Sequence, residues 1–177
     1  MHPTTTRAID GKIRDMTSHV VHLAQRHGAA RAQGKAQSIP DNQRIADARV
    51  EMKVAALGCA AARYDPAGTS LSAVAEKDLT SAALAYFRTL HRATTGRDPE
   101  MPVTLVRTER IEEAQRMLVV AGLGYVTSRN GADACLAFTR AAIGRMCQAA
   151  VRLGEAITGM EPGASHGDPS LHLDDGR

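Results

Sequence analysis

Asp15, His19 and His22 fall on neighbouring turns of one helical segment, so a carboxylate and two imidazoles could converge on a cation from a single face. A di-metal centre inside a helical bundle draws Glu-x-x-His pairs from facing helices, and the sequence contains no such pair. The three side chains are therefore expected to form a solvated flank beside Val20 and Leu23, and no metal is predicted. Glu112 and Glu113 are the next carboxylates of chemical interest. They lie just inside a predicted helix, where the dipole favours negative charge and a general base is chemically feasible. Nucleophilic chemistry has no motif: there is no Gly-x-Ser-x-Gly turn and no Cys–His signature. Cys59, Cys135 and Cys147 form no CxxC pair and are expected to act as small buried hydrophobes.

Cations gather in two stretches. Arg26, Arg31, Lys35, Arg44, Arg49 and Lys53 surround one predicted interhelical connection, and Arg88, His91, Arg92 and Arg97 close a later helix. Each group could hold a phosphate, although cations near a helix C-terminus also stabilise it, and the aromatic interleaving of a single-strand binder is missing. The last eighteen residues carry four carboxylates against one arginine, so the net charge of +3 becomes +6 on residues 1–159. A basic body of this kind suits nucleic acid, acidic surfaces or phosphorylated ligands, and equally serves solubility.

The elements that must position these groups read as helices throughout. Aromatic residues make up only 3% of the 177-residue chain and Trp is absent, so Ala and Met must fill the core, which favours closely packed helices. Residues 7–32 place Ile9, Ile13, Met16, Val20, Leu23 and His27 at three- and four-residue steps. Asp41 is a credible cap for a helix through Tyr64 with two apolar stripes, one through Ile45, Met52 and Cys59, the other through Val50, Val54, Leu57, Ala61 and Tyr64. Ser70 or Ser72 can cap a third helix closed by Gly96, and Thr108 a fourth through Ala121. Residues 125–138 admit a β-hairpin turning at Asn130-Gly131, or a long fifth helix capped by Asn130 and burying Cys135, Phe138, Ala142 and Met146. The helix formers from Ala132 to Ala137 favour the helix. The expectation is an all-α bundle of four to five helices. A flexible arm spans residues 1–6, the bundle 7–159, and a disordered acidic tail 160–177. With no apolar run of spanning or signal length, the chain is expected to be cytoplasmic and away from membranes.

Within this frame, short motifs recur in a recognisable order: Arg31, Gln33, Gly34 and Lys35; Asp41-Asn42-Gln43; Ile45-Ala46-Asp47; Ser72 to Lys77; Pro102-Val103 with Arg107, Arg110 and Ile111; and Gln115-Arg116-Met117. The run resembles the C-terminal helical domain of the acyl-CoA dehydrogenase family. That resemblance implies FAD held by Arg31, Gln33, Gly34, Gln43 and Gly96, with Glu112 the nearest match to the base of many members. The family's Phe before the Gly is missing here, and Thr108 replaces an Asp. The two further domains that complete the flavin and acyl-CoA pockets have no room in the chain. The resemblance thus implies a non-catalytic or accessory bundle that pairs with itself, as a homodimer, or with a partner protein. Two other readings follow from the residues. One is a DNA-binding regulator whose winged-helix element spans 108–138, with Thr108 to Ala121 as recognition helix; the other is a protein–protein adaptor.

Overall fold

The computed structural model describes residues 40–64, 69–104, 106–130 and 135–163. The chain divides into two units, Met1–Pro40 and Asp41–Arg177. The predicted helix 7–32, the arm 1–6, the Asp15–His19–His22 trio and Arg31, Gln33 and Gly34 lie outside the described residues. So do positions 164–177 of the predicted tail.

The described residues form four helices with no strand among them: α1 (Asp41–Tyr64), α2 (Thr69–Thr95), α3 (Glu109–Asn130) and α4 (Leu136–Thr158). Their ends follow from local chemistry. Thr108 caps α3, its hydroxyl accepting from the Ile111 N–H at 3.3 Å and its carbonyl from the Glu112 N–H at 3.0 Å. Gly96 and Gly159 close α2 and α4 at φ +73°, a left-handed conformation that glycine adopts without a Cβ penalty.

α1 packs on α2 and α3, while α4 packs on α3 and α2, so the helices stand at the corners of a square with α2 and α3 on a diagonal. Local bonds give the directions. Arg63 near the end of α1 pairs with Glu76 near the start of α2 at 3.8 Å, so this pair is antiparallel. Arg110 at the start of α3 donates to the Met160 carbonyl just past α4 at 2.7 Å, and Thr139 near the start of α4 donates to the Ser128 carbonyl at 3.4 Å. That pair is antiparallel too.

Two glycines set how closely the corners approach. A Cβ on Gly122 of α3 would come within 3.2 Å of Leu79 Cδ2 and 3.3 Å of Ala56 Cβ, so α1, α2 and α3 converge there. Gly154 of α4 lies directly beneath the Phe87 ring of α2, where any Cβ would overlap the ring. The core between these points is built from Met52, Leu79, Tyr86, Leu118, Met146 and Leu153, all at most 1% exposed.

Several expectations need correction. The second α1 stripe is not a buried seam, since Val50, Val54 and Leu57 are only half-buried, Ala61 is exposed and Tyr64 is 81% exposed. Its place in the interior is taken by Arg49, which lies on the Ile45–Met52 face. The fourth helix does not stop at Ala121, because Gly122 is chosen for close packing and the chain continues helically to Asn130. Asn130 therefore ends α3, and the N-cap of α4 is Cys135, whose Sγ accepts from the Phe138 N–H at 3.5 Å. Cys135 and Phe138 are exposed rather than buried. Residues 125–130 and 136–138 are helical, so the hairpin alternative for 125–138 has no strand among the described residues. The first residues of the predicted tail fold back instead of leaving the bundle: Met160 N–H donates to the Glu155 carbonyl and Gly163 N–H to Glu155 Oε1, each at 3.0 Å.

Candidate functional site

The groups with chemical potential separate into a buried polar cluster, one end of the bundle and an outer helical face. In the interior, Arg49 of α1, Tyr86 of α2 and Cys147 of α4 influence one another electrostatically. Burial pushes the Tyr86 hydroxyl and the Cys147 thiol upward, and the neighbouring Arg49 guanidinium pulls both back only in part. The Tyr86 hydroxyl is fully buried and makes no hydrogen bond of good geometry. A thiol held in its neutral form is a poor nucleophile, so the cluster specifies packing rather than covalent chemistry. Burial, with the nearby Glu76 adding to it and Arg63 opposing it, pushes the Cys59 thiol upward as well. Among the described residues no group of three or more His, Cys, Asp or Glu is arranged for a metal, and no described helix is long and apolar enough to cross a membrane.

Alkaline pH tests this cluster. The unfolded chain releases the thiol and phenol protons near 9.0 and 10.0, whereas the folded protein holds them to higher pH. Stability from these groups is therefore complete below about pH 9 and is lost as pH rises beyond it. Melting temperature should fall steeply between about pH 9 and 11, and Tyr86→Phe should flatten that fall. An identical pH profile for Tyr86→Phe would contradict the assignment.

The N-termini of α1 and α3 and the C-termini of α2 and α4 share one end of the bundle. Gln43, Gly96 and Glu112 all stand there, all exposed. Gln43 Nε2 donates to Asp47 Oδ1 at 2.7 Å, Gly96 donates its N–H to the Arg92 carbonyl at 2.9 Å, and Glu112 occupies the first turn of α3. Each is accounted for by its own helix. A recess of about 150 Å³ opens at this end, lined by Asp41, Arg44, Arg88, Thr89, Arg92 and Asp98, and none of the three matched positions lines it. These three positions are exposed, and Arg31, Gln33 and Gly34, the others that the resemblance implies for FAD, lie outside the described residues.

The recess regroups the cations. Arg44 stands with Arg88 and Arg92 because α1 and α2 are antiparallel, while Arg49, five residues on, points into the core. His91 is also buried, with its ring centroid 5.9 Å from that of Phe87. Sequence spacing alone joined Arg44 to Arg49 and His91 to Arg92; helix phase separates them.

On α3 a second stripe runs outside the core seam. Glu113, Met117, Val120, Gly124 and Thr127 repeat at three- and four-residue steps and are all exposed, Met117 by 44% and Val120 by 63%. A Cβ on Gly124 would meet nothing within 4 Å. Leu136 and Phe138, 68% and 63% exposed, stand at the start of α4, held to the end of α3 by the Thr139–Ser128 bond. The period of Ile111, Ala114 and Leu118 marks the core face of this helix, and these three are buried, so the Met117–Val120 stripe lies outside that seam. No protein-family model, curated protein or solved structure matches the chain.

Proposed function

We propose that this protein is a non-catalytic, accessory helical bundle that acts by pairing with a second copy of itself through the outer face of α3. The observation that carries the reading is the uncovered stripe Met117–Val120–Gly124, whose three- and four-residue spacing is that of a helix packed on both sides. An exposed glycine in such a stripe lets another helix approach closely.

Charge supports a twofold arrangement. A two-fold contact needs a surface complementary to itself. The first turn of α3 carries Glu109 and Glu112, with Glu113 beside them, while its last turn carries Arg129, and Arg140 lies near the start of α4. Two copies of α3 packed antiparallel bring Glu109 and Glu112 of one toward Arg129 and Arg140 of the other. Glu113 is already oriented by Arg116, whose Nε and Nη2 both donate to its Oε2 at 3.0 and 2.7 Å. The resemblance to the dehydrogenase C-terminal domain points the same way, because it implies an accessory bundle that works in pairs.

Solution mass tests the proposal. Sedimentation should give a dimer for the unaltered protein and a monomer for Met117→Glu/Val120→Glu, with unchanged helical circular dichroism. A monomer for the unaltered protein across the micromolar range would overturn it. The visible absorbance of the same sample reports independently on flavin.

A further inference from the structure

We infer that the recess between the N-terminal turn of α1 and the C-terminal half of α2 is a binding site for a phosphate-class oxyanion. Three guanidinium groups converge on it, Arg44 from α1 and Arg88 and Arg92 from successive turns of α2. Asp41 and Asp98 bring two carboxylates, so the lining keeps one net positive charge.

Their pairing is loose. Arg44 Nη1 stands 4.0 Å from Asp41 Oδ1, and Arg92 Nη1 stands 3.9 Å from Asp98 Oδ1, beyond hydrogen-bond distance in both cases. All four side chains are more than a third exposed, so each pair contributes little to holding the fold. Arg88 is exposed, and among the described residues it has neither a hydrogen bond nor an ion pair. A fold-stabilising network would bring these groups into bidentate contact. Here the forks of three arginines are left open around a space of about 150 Å³, well above the roughly 10–15 Å³ one water needs.

Phosphate suits this lining better than a carboxylate does. Its oxygens are spread tetrahedrally, so guanidinium forks approaching from α1 and from two turns of α2 can each find an acceptor. The N-terminal end of the α1 dipole adds positive potential on the same side.

The probe is inorganic phosphate, added to the full chain at constant ionic strength maintained with chloride. The expected result is a saturable rise in melting temperature, as for any ligand that binds only the folded state. Arg88→Gln/Arg92→Gln should weaken the apparent affinity at least about tenfold, the loss expected for two charge-assisted contacts. Arg145→Gln, on the exposed face of α4, should leave it unchanged. Phosphate also stabilises proteins generally by exclusion from their surface, an effect that does not saturate and ignores the substitutions. A linear rise shared equally by all three proteins would overturn the site. The monomeric Met117→Glu/Val120→Glu protein keeps the recess, so its phosphate response separates failure of this site from failure of the α3 interface.

Discussion

Phe87→Ala should cost about 3–5 kcal/mol of unfolding free energy, a large share of what a domain of this size possesses. The ring is completely buried between α2 and α4, and it rests on Gly154 with no side chain between. Gly154→Ala probes the same contact from the other side. It should gain up to about 1 kcal/mol of helix propensity, but lose more than that by forcing a methyl group into the ring, about 1–3 kcal/mol for overpacking. With alanine already at 87, the methyl group enters the vacated space and the second substitution becomes stabilising. Urea unfolding of both single variants and the double variant checks the sign change. Strictly additive effects would show that Phe87 and Gly154 do not set the α2–α4 distance.

Arg49→Ala is the second large effect, about 3–5 kcal/mol, since Arg49 is only 3% exposed and its charge acts on Tyr86 and Cys147 in the interior. Deleting it removes the aliphatic stem as well as the charge and leaves the phenol facing a cavity. Arg49→Met keeps the stem volume and removes only the guanidinium, so it should lose less than Arg49→Ala by the packing share of the effect. Equal losses for alanine and methionine would assign the whole effect to the guanidinium; a loss under about 1 kcal/mol for alanine would remove Arg49 from the core's structural elements.

The helical class and most of the core seam were legible, because Ile111, Ala114 and Leu118, or Ala142, Met146, Leu153 and Ile157, recur with the helical period and all are buried. Arg49 was not legible as a core residue. A guanidinium ordinarily reads as surface, and its interior position depends on neighbours such as Tyr86 and Cys147 that only the tertiary fold brings to it. Asn130-Gly131 was misread as a hairpin turn or a helix start because both use the same residue types, and the outcome rested on packing at Gly122 rather than on local chemistry. The recess was half legible. Arg88 and Arg92 are visible together in the sequence, but Arg44 joins them only when α1 folds back antiparallel to α2.

The thirteen residues that separate Thr95 from Glu109 cross the diagonal of the square, and Pro99 is buried along that path. Such a stretch can reach about 43–47 Å, whereas the diagonal between helices spaced about 10 Å apart is only about 14 Å. The bundle is in this sense two antiparallel hairpins on a slack tether, each closed by a short loop and each able to form from contacts near in sequence. Their docking behaves as an intramolecular association at an effective concentration in the millimolar range. Exchange of hairpins between two chains is outcompeted below that concentration, so each chain closes its own pair of hairpins.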